Sequence, residues 1–189
     1  MEPTIQNMTA TADLSYMQDL VGIKVLSDEQ EKYTIEEIKI DYDPDRFRAL
    51  IIRFKNPKAT VLVYDSGKVV CVGGKKEQTA SDAFSKTAQI IRELGFKAKV
   101  KNVLIHNYVG SWCMGTKIKI REFVAANPKS ATYEHEIFPG CIYTLNCSKI
   151  TIFHTGKVFM TGVREKKEMR KIFEHIAPKL KEFFYERKK

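Results

Sequence analysis

The 189 residues fit one domain or two small fused halves, and a hydrophobic fraction of 43% is ordinary for a globular core. The formal charge of +9 favours an acidic partner, nucleic acid first and an anionic surface second. Cys71, Cys113, Cys141 and Cys147 form no C-x-x-C pair and no Cys/His cluster of zinc-like spacing; with no secretory signal and no apolar run near 20 residues, this predicts a soluble chain of a reducing compartment, without metal or membrane span.

In chain order, Ile5 to Thr11 reads as a short strand, and Leu14 to Lys39 as helix-leaning, acidic and irregular. Phe47 to Phe54 (F-R-A-L-I-I-R-F) reads as a strong strand, Asn56-Pro57 as a turn, and Ala59 to Tyr64 as the next strand. Ser66-Gly67 turns the chain into Val69 to Val72. Ala80, Ala83, Phe84, Ala88, Ile91 and Leu94 then follow helical spacing, and Gly95 ends that helix. Val100 to Val109 returns to strand and Ile118 to Ala126 suits a short helix. Ile137 to Leu145, Lys149 to Phe153 and Val158 to Thr161 are strands. Met169, Ile172, Phe173, Ile176, Leu180, Phe183 and Phe184 make a last amphipathic helix, which Pro178 should kink.

The chain repeats itself. Tyr64-Asp-Ser-Gly-Lys-Val-Val-Cys-Val-Gly73 returns 89 residues later as Phe153-His-Thr-Gly-Lys-Val-Phe-Met-Thr-Gly162. Ile5-Gln-Asn-Met-Thr-Ala-Thr11 returns as Ile105-His-Asn-Tyr-Val-Gly-Ser111, and Asp45-Arg-Phe47 as Glu136-Ile-Phe138. The first repeat is placed at 1–101 and the second at 102–189. The expected fold is α+β: two pseudo-symmetric repeats forming one curved antiparallel sheet, a saddle, with helices on the convex face. The opposite, largely apolar face needs a ligand. Double-stranded DNA, itself nearly two-fold symmetric, suits such a shape. Charge is uneven: residues 1–50 hold 5 Lys/Arg and 11 Asp/Glu, a net −6, which leaves +15 on residues 51–189.

These motifs, with Tyr133-Glu-His-Glu-Ile-Phe-Pro-Gly140 and the paired Ser/Thr-Gly-Lys turns, carry a resemblance. From Ile5 to about Phe184 the chain resembles the TATA-binding protein family, itself a reference case of minor-groove binding and kinking. The resemblance implies four aromatic wedges, Phe47 with Tyr64 and Phe138 with Phe153, entering base steps at the two ends of a site. It implies Asn7 and Asn107 at the groove centre, where an amide can donate to A N3 and T O2. Leu62, Val70, Val109 and Thr161 match the small apolar or Thr positions around those amides; Thr9, Val72, Thr151 and Phe159 depart from them. Val72 cannot hydrogen-bond, and Phe159 brings bulk that either blocks the usual fit or adds a wedge. Tyr64 replaces the usual Phe.

Arg53, Lys68, Lys75, Lys157 and Arg164 match family cations beside phosphates, and Ser66 and Thr155 supply turn hydroxyls. Thr144 stands where the family usually holds Arg, and the turn between Tyr143 and Phe153 is about two residues shorter than usual. Glu134, Glu136 and Ile137 match the patch offered to IIB-type initiation factors. The first stirrup, Lys55 to Lys58, is where IIA-type factors would pair with the sheet edge. The acidic stretch near 27–45 is about ten residues longer than in the family, as an extra partner surface or a solvated excursion.

The sequence shows no nucleophile–base pair, and Gly73-Gly74-Lys75-Lys76 lacks the full phosphate-loop pattern, so neither an enzyme nor a cofactor is expected. The resemblance implies an initiation factor that binds and kinks promoter DNA, recruits IIB-type and IIA-type factors and RNA polymerase machinery, and resides in the nucleus. The alternative is a protein–protein adaptor that keeps the partner surfaces and has lost TATA-specific binding. Homodimerisation through the concave face when DNA is absent stays open.

Overall fold

A computed structural model describes residues 2–30 and 37–185. The same order of elements occurs twice. The first is β1 (Thr4–Asp13), α1 (Leu20–Asp28), β2 (Ile38–Asp41), β3 (Leu50–Phe54), β4 (Ala59–Val63), β5 (Lys68–Val72) and α2 (Glu77–Glu93). The second is β6 (Lys101–Cys113), α3 (Ile120–Ala126), β7 (Ala131–Thr132), β8 (Gly140–Leu145), β9 (Ser148–Phe153), β10 (Lys157–Val163) and α4 (Lys166–Lys181). The chain forms two compact units, one of residues 7–106 and the other of 2–6 with 107–185 among those described.

In the unit of residues 7–106 the antiparallel order is β2-β3-β4-β5-β1. The strands alternate with period two, so every second side chain shares a face. Ile40, Ile52, Val61, Cys71 and Ala10 stand in register across five strands, and all are buried. Helix α2 packs against β4 and β5, and its Ala80, Phe84, Ala88 and Ile91 are buried. Full burial of each large apolar side chain contributes about 1.5–3 kcal/mol. Gly95, at φ 92°, follows the α2 C-cap residue Leu94.

The other unit repeats the scheme in the order β6-β10-β9-β8-β7. Its buried row is Gly110, Met160, Ile150, Tyr143 and Ala131. Helix α4 packs on β10 through its buried face, which includes Met169, Ile172 and Ile176.

The Ser/Thr-Gly-Lys turns coincide in detail. Leu14 N–H donates to the Gly67 carbonyl and Met114 N–H to the Gly156 carbonyl, each at 2.8 Å. Both glycines have positive φ, 81° and 86°, and an added Cβ would stand 2.1 Å from the Tyr16 carbonyl oxygen or 2.2 Å from that of Thr116. Only glycine meets both demands.

Several sequence expectations are corrected. Phe47 does not lie in the strand read from Phe47 to Phe54: β3 starts at Leu50, and Phe47 closes a turn from Asp43. Phe138 likewise precedes β8. The described residues between Leu14 and Lys39 hold the nine-residue α1 and the start of β2. Pro178 lies inside α4 as expected, and the helix runs on to Lys181. The acidic stretch near 27–45 falls partly outside the described residues. Among the described residues no helix is long and apolar enough to cross a membrane.

Candidate nucleic-acid interface

The side chains alternating with the buried rows form the opposite face of each sheet. In the first repeat one row runs Ile51, Leu62, Val70, Thr11 and the next Arg53, Thr60, Val72, Thr9. All are half-buried except Arg53, which is exposed. In the second repeat Ile142, Thr151, Phe159 and Ser111 stand in register, beside Thr144, Lys149 and Thr161. The expected residues Leu62, Val70, Val109 and Thr161 therefore all lie on these faces, as do Thr9, Val72, Thr151 and Phe159.

Asn7 and Asn107 hold equivalent places. Asn7 Oδ1 accepts the Gly73 N–H at 2.8 Å and the Met8 N–H at 2.8 Å. Asn107 Oδ1 accepts the Gly162 N–H at 2.9 Å. A backbone N–H can only meet the carbonyl side of an amide, so the contact fixes which end is which. Neither Nδ2 has a hydrogen-bond partner among the described residues, and each repeat thus holds one oriented amide donor on its open face.

The four aromatics form two related pairs. Phe47 N–H donates to the Asp43 carbonyl at 2.8 Å, and Phe138 N–H to the Glu134 carbonyl at 2.9 Å. In both turns the ring is left projecting, Phe47 at 41% and Phe138 at 40% exposure. Phe138 lies over Gly140, where a Cβ would come within 2.7 Å of its ring. It meets Phe153 edge-on at 5.8 Å, and Phe153 meets Phe159 at 6.0 Å. Three rings thus adjoin in the second repeat. Tyr64, half-buried, replaces Phe153 in the first, and Val70 replaces Phe159.

The cations and turn hydroxyls flank these faces. Lys68, Lys75, Lys157 and Arg164 are exposed, as are Ser66 and Thr155. Arg53 is shared with Asp41 at 3.9 Å, an exposed pair of small energetic consequence. Glu134, Glu136 and Ile137 lie together on the turn before β8, with Ile137 80% exposed. The hairpin joining β8 to β9 leaves only Asn146 and Cys147 between strands, two residues fewer than Lys55 to Lys58 between β3 and β4. In the first unit the edge strand is β2, not the stirrup itself.

Sequence reasoning missed the shoulders of these faces. A cleft of about 570 Å³ beside Thr11, Tyr64, Lys68 and Val70 is lined also by Leu104 and His106. Leu104 is 58% exposed, and His106 Nε2 lies 2.7 Å from the Thr11 hydroxyl. Its counterpart, about 560 Å³, is lined by Thr4, Gln6, Ser111, Lys157 and Phe159. The repeat alignment of Ile5 with Ile105 already paired Gln6 with His106, and was the signal that could have found both.

Cys71 and Cys141 are buried free thiols pushed up to about 11 by burial, which keeps them protonated and unreactive near neutral pH. Among the described residues no cluster of three or more His, Cys, Asp or Glu is arranged to hold a metal.

A family model described as transcription factor TFIID (or TATA-binding protein, TBP) matches residues 2–94 and 102–183. TATA-box-binding protein 1 of Arabidopsis thaliana is 38% identical over 183 residues, 96% of this chain and 86% of the plant protein. The TATA-box-binding protein of Acanthamoeba castellanii is also 38% identical, over 96% of this chain and 67% of that protein. TATA box-binding protein-like 2 of Xenopus laevis is 36% identical, over 96% of this chain and 54% of the frog protein. The solved structure of Methanococcus jannaschii TBP matches 96% of this chain and 99% of its own with a TM-score of 0.77 at 26% identity. With the same element order in both halves and the family model over each, the chain has the α+β two-repeat fold expected and belongs to the TATA-binding protein family of non-enzymatic, promoter-binding transcription factors.

Proposed function

We propose that this protein is a nuclear initiation factor that reads and kinks A·T-rich promoter DNA through the minor groove. The observation that carries the reading is the pair of oriented amides. Asn7 and Asn107 each point a free donor from an apolar face, and the minor-groove edges of A·T and T·A offer only acceptors. A guanine amino group meets them donor to donor. Phe47 with Tyr64, and Phe138 with Phe153, are the wedges; unstacking costs a few kcal/mol per step and is offset by the wrapped surface.

Lys68, Lys75, Lys157, Arg164 and Arg53 hold phosphates, with Ser66 and Thr155 beside them. Glu134, Glu136 and Ile137 receive a IIB-type factor, the first stirrup and neighbouring β2 edge receive a IIA-type factor, and polymerase follows through them. Without DNA the apolar face is open to a second copy of the chain.

One observation favours a second reading, that of an adaptor without TATA specificity. Phe159 crowds the open face against Phe153 where the first repeat has Val70. Binding and bending of a labelled TATA duplex against a G·C-substituted control, at two salt concentrations, decides. Tight, A·T-selective binding with a large bend supports the initiation factor; weak, unselective binding that fades with salt supports the adaptor.

A further inference from the structure

Pro178 lies inside α4, and proline has no backbone N–H. The Glu174 carbonyl, one turn back, therefore lacks its helical donor. Glu174, Ala177, Pro178 and Lys181 follow helical spacing and line one groove of about 480 Å³, which Phe173, Met114 and Phe184 complete. Phe184 is held there by its bridge to Ile118, and Tyr185 N–H donates to the Lys117 carbonyl at 3.2 Å.

The first repeat supplies an internal comparison. Under the alignment of Gly73 with Gly162, Phe173 matches Phe84 and Pro178 matches Gln89. Phe84 is fully buried and α2 runs uninterrupted, whereas Phe173 is only half-buried and meets Trp112 edge-on at 5.3 Å. The proline and the half-exposed ring thus belong to the second repeat alone.

Two charged residues line the groove, Glu174 and Lys181. The Glu174 carboxylate is engaged by Arg170 Nε at 3.2 Å, while Lys181 is exposed and has no ion-pair partner among the described residues. An apolar bed, a backbone carbonyl that lacks its helical donor and the Lys181 ammonium define the complement: a flat ring with an N–H at its edge, flanked by carboxylates.

We propose that this groove docks an acidic segment of a partner protein through a tryptophan, whose indole N–H donates to the Glu174 carbonyl while flanking carboxylates meet Lys181. This goes beyond the DNA reading and does not depend on it.

The probe is the labelled peptide Glu-Asp-Glu-Trp-Asp-Glu-Asp, titrated into the full chain with the Met114 methyl followed by NMR. Saturable binding with a Met114 shift is expected. A 1-methyltryptophan version, which lacks the N–H, is expected to bind about tenfold more weakly. Pro178→Gln restores a backbone N–H to α4, as Gln89 provides in α2, and should cause a similar loss with DNA binding unchanged. Lys181→Glu should weaken the peptide without unfolding the helix. No binding at millimolar peptide, binding without a Met114 shift, or equal binding by the methylated peptide and by Pro178→Gln would overturn the proposal.

Discussion

Asn107 places its amide oxygen 2.9 Å from the Gly162 nitrogen, as Asn7 does with Gly73 at 2.8 Å. The same contact in both repeats spends the acceptor half of each side chain on the protein and leaves the donor half outward. A residue chosen merely to satisfy the glycine could equally be Asp.

Asn107→Asp separates the two roles. The carboxylate keeps an oxygen for Gly162 N–H but faces the groove acceptors with negative charge. A·T affinity should fall roughly 10- to 100-fold, since one good base contact is worth about 1–3 kcal/mol. The melting temperature should hardly move. Unchanged affinity in a fluorescence titration would show that Nδ2 reads nothing.

Phe159→Val gives the second repeat the residue of the first. Edge-on ring pairs contribute about 0.5–1.5 kcal/mol beyond area, so Phe153 should lose support. Stability should fall by about 1 kcal/mol and the DNA bend measured by energy transfer should shrink. A rise in A·T affinity would instead identify Phe159 as an obstruction and strengthen the adaptor reading.

Lys157→Gln tests phosphate contact. Neutralising one contact should flatten the plot of log affinity against log salt by about one unit, with A·T preference intact. An unchanged slope would place Lys157 off the backbone.

The thiols report burial and the binding face together. At pH 8 an aromatic disulfide reagent should label the exposed Cys113 and Cys147, and reach Cys71 and Cys141 only in denaturant. Promoter DNA should protect Cys113, which adjoins Phe159 in the second cleft, and spare Cys147. Because burial raises the two inner thiols to about 11, their contribution to stability is intact below the unfolded value of about 8.5 and declines as pH rises from there towards 11. Labelling of all four in the native state would contradict the buried rows.

Much of this was legible in the chain. The 89-residue repeat located the hairpins, and the spacing from Ala80 to Leu94 located α2, because period-two and helical patterns follow directly from which face is buried. Phe47 was misplaced because Phe47, Ala49 and Ile51 alternate with their neighbours straight into β3 as a strand would; the turn that sets Phe47 apart depends on the Asp43 carbonyl, which hydrophobicity does not encode. Pro178 does not end α4, because buried Ile176 before it and buried Leu180 after it both pack the helix onto the core. The short β7 has only two residues and no periodicity to read. Leu104 and His106 escaped notice because the outward positions of a strand carry no periodic signal of what lies beside them until their neighbours are known.

The central claim is minor-groove reading by amide donors, and inosine tests it most directly. An I·C pair presents the major groove of G·C but lacks the guanine amino group, so its minor groove resembles that of A·T. Affinity and bend should therefore be measured on three duplexes differing only at the central pairs: A·T, I·C and G·C. The account predicts that I·C binds and bends like A·T, with G·C far weaker. An I·C duplex as weak as G·C would contradict it.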